Sequence, residues 1–464
     1  MISEDRQKAL QEEKLHRIVE QPVGGLICRL AVPTIITMLI SSLYNLADTF
    51  FVSKLSDGAI AAVGIVYSLV CFTQAVGYYF GQGSGNYISR ALGSGDSHDA
   101  REMAEIGFSY SFLCGTLIAV VGLIFLTPLC RILGAPTEIL TETKTYCSII
   151  LLGTPFIVSS LTLNCQYRFQ GNAFSSMLGI GVGAVLNVIL DPIFILPWGF
   201  GLEVAGAAWA TVLSQVVGFF LLFIQSKTCG NNPLRIRVPK MTRAHFRHIN
   251  AGGLPSLFRQ GFASVSLAVL NLVAKPFGIG IVAAMSVVSR IMNTALALPT
   301  GLGQGFQPVC GMNYGAGQYR RVRKAFRFTV LLALGVCVAC AAVGLIFSEQ
   351  LISVFRGQNS GPEVLTYGVP ALRYQCLTYP LLAFLILTNM MVQTMGKAFS
   401  GTFLAVARTG LFFIPAVLLL SHFLGRTGIL FAQPCSDLLA FACALAVWLR
   451  TDHELSRPDL PRHG

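Results

Sequence analysis

A chain of 464 residues that is 54% hydrophobic and only 12% charged carries more apolar surface than one soluble core can bury, so its solvent is largely lipid. A mean hydropathy of +0.66 agrees with that reading. The formal charge of +12 concentrates in residues 227–247 and 320–327, which marks loops on one side of a membrane and excludes a nucleic-acid partner.

In chain order, residues 1–24 are polar and mixed in charge, unlike a signal peptide, and read as a cytoplasmic tail. Apolar runs near the ~20 residues that cross a bilayer follow at roughly 25–52, 59–82, 104–128, 143–165, 174–197 and 203–225. These six helices make an N-lobe over 25–226. A basic linker over 227–249 carries six Lys and Arg residues. The second set lies at roughly 250–273, 279–308, 325–347, 365–391, 399–421 and 428–449, a C-lobe over 250–450, and a tail over 451–464 ends the chain. Of the 33 Lys and Arg residues, 23 fall in the tails and in the loops on their side, and six on the other side: Lys54, Arg131, Lys144, Lys275, Arg356 and Arg426. Positive loops stay inside, so both termini are expected in the cytoplasm. The thirteen cysteines are scattered through apolar segments and read as free buried thiols.

The halves repeat. At an offset of 222 residues Gly81-Gln82-Gly83 meets Gly303-Gln304-Gly305, Pro33 meets Pro255, Gly93 meets Gly315 and Gly95 meets Gly317. At an offset of 225, Pro155 meets Pro380, Asn164 meets Asn389, Gly171 meets Gly396, and Ala173-Phe174-Ser175 meets Ala398-Phe399-Ser400. Six helices is an even number, so the second half enters the membrane in the direction of the first. The predicted fold is therefore an all-α integral membrane protein of about twelve transmembrane helices in two parallel six-helix repeats. Halves so related imply alternating access by rocking of two lobes, with Pro33 a bend point in helix 1.

Several stretches resemble one family. Leu43-Tyr44-Asn45-Leu46-Ala47-Asp48-Thr49-Phe50-Phe51-Val52, the segment from Gly83 to Asp96, Asn187-Val188-Ile189-Leu190-Asp191-Pro192 and the segment from Gly303 to Gly317 are similar to signatures of the multidrug and toxic compound extrusion (MATE) family. Gly253-Leu254-Pro255-Ser256-Leu257-Phe258-Arg259-Gln260 resembles its MepA-like bacterial branch. NorM-type members carry acids in helices 7 and 10, where this chain has Arg259, Gln260, Asn389 and Gln393. The resemblance implies secondary active export from the bacterial cytoplasmic (inner) membrane. An amphipathic, often cationic drug would exchange for protons or sodium.

A carboxylate inside a bilayer is expensive and usually functional. Asp48, Asp191 and Asp437 qualify. By helix rise Asp48 lies about 6 Å, Asp191 about 9 Å and Thr211 about 12 Å below the same membrane face, and Asn187 is one turn from Asp191. Asp48, Asn187, Asp191 and Thr211 thus converge in depth, as a set that resembles the family's proposed cation site. Two such carboxylates would share one proton, because burial and like charge both oppose a second negative charge. The same oxygens suit sodium, and no other metal is expected. Structural bonding between helices is the plainer reading of both acids.

The second half places Arg259, Arg290, Arg373 and Arg408 within helices against Asp437 alone. Arg259, Gln260, Arg290 and Asp437 are candidates for an ion pair or for lining a cavity. Gly179-Ile180-Gly181-Val182-Gly183 has no preceding strand, so it reads as close helix packing rather than a dinucleotide loop. Asp96 and Asp99 complement a helix dipole at the start of helix 3. No base or nucleophile accompanies them, so the chain is not read as an enzyme. The alternative function is a flippase of lipid-linked oligosaccharides. Expected partners are small-molecule drugs and the lipid bilayer, with a monomer as the working unit and no cofactor beyond the coupling ion.

Overall fold

Hydrocarbon offers the backbone no hydrogen-bond partners, so each spanning segment must satisfy its own, and the chain does this with helices. The computed structural model describes residue 18 and residues 20–52, 57–196, 199–228, 239–355 and 362–456. Most of the tail expected over 1–24, the middle of the linker and the end of the C-terminal tail lie outside the described residues. So do the side chains of residues 42–50, Asp48 among them.

The first six long helices are α1 (Val23–Val52), α2 (Asp57–Gly93), α3 (Ser97–Ile124), α4 (Leu140–Phe169), α5 (Ala173–Ile195) and α6 (Glu203–Thr228). The next six are α7 (Arg243–Ala274), α8 (Ile279–Gly315), α9 (Tyr319–Ile346), α10 (Glu363–Thr394), α11 (Ala398–Leu424) and α12 (Arg426–Glu454). A π-turn at Ala407–Leu411 interrupts α11. All twelve are long and apolar enough to cross a membrane, and no strand occurs among the described residues.

Apolar run length understates several of these helices. α2 and α8 continue through Gly93 and Gly315, eleven and seven residues past their expected ends, because their small and polar residues there pack on protein. A Cβ at Gly83 would meet the Ile249 carbonyl oxygen at 2.5 Å. α7 begins at Arg243, within the stretch read as linker. Asp96 caps α3, its carboxylate accepting from the Asp99 N–H at 2.9 Å, so these acids do serve the helix start.

The repeat is visible in matched details. Gly95 and Gly317, then Gly171 and Gly396, all hold positive φ, between +69° and +85°, at equivalent turns. Asn164 donates its amide to the Ser176 carbonyl at 2.8 Å, and Asn389 repeats this to Gly401 at 2.7 Å. Gly81 approaches Thr162 and Cys165 on α4, while Gly303 approaches Leu387 and Met390, their counterparts on α10. Each repeat also adds a short helix after its third, Leu126–Ile132 and Ser348–Phe355, which hydropathy alone does not reveal.

Two compact units result. Unit 1 contains residues 36–257 and the described residues before Pro22, and unit 2 contains Pro22–Ile35 and the residues from Phe258 onward. α1 and α7 each pass from one unit to the other two residues after a matched proline, Pro33 and Pro255. In unit 2 the Thr34 hydroxyl donates to the Gly301 carbonyl at 2.8 Å. A proline inside a helix removes one backbone hydrogen bond, which makes both positions local weak points.

Candidate cation-coupling site

α5 is positioned by its neighbours in unit 1. Asn172 caps its start by accepting from the Ser175 N–H at 3.4 Å. A Cβ at Gly183 would stand 3.2 Å from the Ser214 carbonyl oxygen, and one at Gly218 would stand 2.9 Å from that of Gly179. The glycine series predicted from sequence as close helix packing therefore brings the backbones of α5 and α6 together.

That packing carries Asn187 and Asp191 inward, where both are buried, Asp191 completely. The Asn187 amide donates to Asp191 Oδ1 at 3.3 Å, across one helical turn. The Asn187 Oδ1 atom is buried with no hydrogen-bond donor among the described residues. α5 and α6 run antiparallel, with Gly183 against Ser214 and Gly206 against Phe194, so Thr211 lies level with Asn187. It is half-buried. On the other side, Ile40 of α1 lies 3.9 Å from the position of a Cβ at Gly181. Eight residues further, about 12 Å along the helix, the Asp48 backbone reaches a level between Asn187 and Asp191. The structure thus joins Asn187 and Asp191 directly and sets Thr211 level with Asn187, while the Asp48 side chain lies outside the described residues.

Unit 2 is organised around cations. The fully buried Asp437 of α12 accepts from Arg408 Nε and Gln433 Nε2, both at 2.8 Å, and from the Thr378 hydroxyl at 3.2 Å. Its partner is therefore Arg408, neither Arg259 nor Arg290. Arg408 sits in the π-turn of α11, whose carbonyl groups accept from Ser436 at 2.5 Å and from Ser266. The widened turn presents the guanidinium sideways to α12 and leaves carbonyls for neighbouring hydroxyls. Gln433 lies four residues before Asp437, a pairing legible in the sequence; Arg408 and Thr378 are on other helices and are not. Arg373 donates to Ser348 at 2.9 Å and faces Glu349 at 4.0 Å. Arg259 and Gln260 are half-buried on α7, and Arg290 is exposed on α8.

Twelve spanning helices in two repeats, with a buried carboxylate that accepts from a neighbouring amide in one of them, define a multi-pass membrane transporter. The chain belongs to the MatE family, whose pattern matches residues 33–193 and 255–418, one match in each repeat. It is 26% identical over 450 residues to the multidrug export protein MepA of Staphylococcus aureus (strain NCTC 8325 / PS 47), covering 96% of this chain and 97% of that one. The MepA of Staphylococcus haemolyticus (strain JCSC1435) is 25% identical over 425 residues, 91% of this chain and 92% of that protein. Among solved structures, the outward-facing conformation of a multidrug resistance MATE family transporter of the MOP superfamily superposes with a TM-score of 0.88. It is 27% identical, and the match covers 95% of this chain and 98% of that one.

Proposed function

We propose that this protein exports amphipathic, often cationic drugs across the bacterial cytoplasmic membrane in exchange for protons, with both termini in the cytoplasm and a monomer as the working unit. The similarity to MepA along nearly the whole chain supports drug export. The observation that carries the coupling is the buried Asn187–Asp191 pair, at a depth where an isolated carboxylate is costly unless it binds a cation or proton. Asp191 and Asp48 exchange the proton, and the neutral Asn187 and Thr211 shape the site without adding charge. Rocking of the two units, with bending of α1 at Pro33 and of α7 at Pro255, exposes the substrate alternately to each side.

Sodium is the second reading, and one observation favours it. The orphaned Asn187 Oδ1 is an acceptor that a small hard cation would satisfy as well as a protonated carboxyl would. Purified protein in proteoliposomes, loaded with ethidium and given separately imposed proton and sodium gradients, tests both. Efflux driven by the proton gradient alone is the expected result. Efflux that responds to sodium alone replaces the ion, and efflux that responds to neither removes antiport.

A further inference from the structure

The arginines of unit 2 are not equivalent. Arg408 is paired with Asp437, and Arg373 with Ser348 and Glu349. Arg290 is exposed, and its side chain makes no hydrogen bond or ion pair among the described residues; the one bond at this residue is from the Thr294 hydroxyl to its backbone carbonyl, at 3.0 Å. It lies eleven residues from the start of α8, about 16 Å along the helix, near the midplane of a hydrocarbon core ~30 Å thick. A guanidinium exposed there must meet water, since lipid would oppose it by several kcal/mol.

The rest of α8 says which environment it meets. Helices that face lipid expose large apolar side chains: α9 shows Phe328, Leu331, Leu334, Val338, Val343 and Ile346. α8 exposes none among its described residues; its exposed side chains are Arg290 and, one turn on, Asn293, with half-buried Thr294 beside them. An exposed stripe made of a guanidinium and a carboxamide is a water-facing surface rather than a lipid-facing one. Its chemistry is that of an anion receptor, because the planar guanidinium offers paired N–H donors that match the two oxygens of a carboxylate. A lipid headgroup does not reach this depth, so the anion belongs to the transported molecule.

We infer that Arg290 is a specificity-determining residue that binds an acidic group of the substrate, so that the preferred substrates are amphipathic zwitterions bearing a carboxylate. This rests on the export reading above and names the substrate class within it. Rhodamine B and its ethyl ester are a suitable probe pair, since they share a cationic apolar body and differ in the free carboxylate. Binding is measured on the purified full chain and export in proteoliposomes. The parent protein should bind the acid more tightly than the ester. Arg290→Gln should cut that acid-to-ester ratio by about tenfold or more, the usual weight of a charge-assisted hydrogen bond, and Arg290→Lys, which keeps the charge and loses the paired geometry, should fall between. Equal binding of acid and ester by the parent, or a ratio unchanged in Arg290→Gln, overturns the inference even if both dyes are exported. Acid-selective binding that depends on Arg290, without export of either dye, overturns the export reading and leaves the anion site standing. If Arg290→Gln does not fold, Arg290→Cys in a cysteine-free chain gives the second readout. A membrane-impermeant methanethiosulfonate should label it while leaving Leu331→Cys unlabelled, and failure to label Arg290→Cys from either side of the membrane overturns the inference.

Discussion

In unit 1 the fully buried carboxylate, Asp191, takes a hydrogen bond from a neutral amide on its own helix; in unit 2 the fully buried carboxylate, Asp437, is held by a guanidinium and two neutral donors. The surrounding scaffold is duplicated down to single hydrogen bonds, as Asn164 and Asn389 show. Duplication has therefore preserved packing and left the charges to diverge. A buried carboxylate locked to arginine serves as a structural tie, since removing the partner would leave an uncompensated buried charge. The contrast fits the proposal that ion exchange takes place in unit 1, while the Arg408–Asp437 pair ties helices together in unit 2.

The largest test breaks the assignment at its centre. Asp191→Asn and Asp48→Asn should each abolish gradient-driven export while leaving membrane insertion and folding intact, because the amide keeps the shape and removes the exchanging group. Transport by the purified variants in proteoliposomes is the measurement. Full activity in either one removes that carboxylate from coupling.

The next test concerns unit 2. Arg408→Gln should destabilise the protein by ~3–5 kcal/mol, because it leaves Asp437 buried without a countercharge. Adding Asp437→Asn should recover part of that loss. Thermal unfolding in detergent checks both, and an Arg408→Gln variant as stable as the parent would show that the pair does not tie α11 to α12.

Much of this was legible in sequence, for identifiable reasons. Lipid imposes a run length, so the twelve helices were countable, and turns that need positive φ show as paired glycines, so the repeat was visible at Gly95 and Gly317. Hydropathy reports contact with lipid, not helicity, which is why α2 and α8 were placed too short where their ends pack on protein. Depth follows from residue number along a helix, and the observed register sets Thr211 level with Asn187, where counting along the helices sets it between Asn187 and Asp191. Azimuth across helices does not follow from numbering, so Arg408 could not be picked out from four arginines as the partner of Asp437. The π-turn that aims it is a backbone irregularity with no simple residue signal.

A smaller effect sharpens the view of a common scaffold with local differences. A Cβ at Gly81 would sit 2.8 Å from the Cys165 Cβ and 3.2 Å from the Thr162 Cα, neither of which can move without the α4 backbone. At Gly303 the nearest obstacle is the end of the flexible Met390 side chain, with Leu387 Cδ2 at 3.3 Å. Gly81→Ala should therefore cost ~1–3 kcal/mol, and Gly303→Ala under about 1 kcal/mol, in thermal or denaturant unfolding. Equal losses would mean that the two crossings yield alike and that the difference in their neighbours is immaterial.

The smallest expected effect decides the coupling ion, because it removes one neutral oxygen and nothing else. Thr211 is level with Asn187, half-buried, and carries the hydroxyl that unit 1 could add to a cation's shell. A proton exchanged between two carboxylates needs only those carboxylates, so Thr211→Val, nearly identical in shape, should keep most transport under a pH gradient with no sodium present. Sodium must replace its hydration with protein oxygens, and the buried Asn187 Oδ1 would be one of them. Losing the hydroxyl would then raise the sodium concentration needed for half-maximal export. Proteoliposome efflux from the parent and from Thr211→Val, measured across a sodium series at fixed pH, separates the cases. A parent that requires sodium, with a weakened sodium response in Thr211→Val, would turn the unit 1 site from a proton relay into a sodium site and leave the contrast between the two units intact.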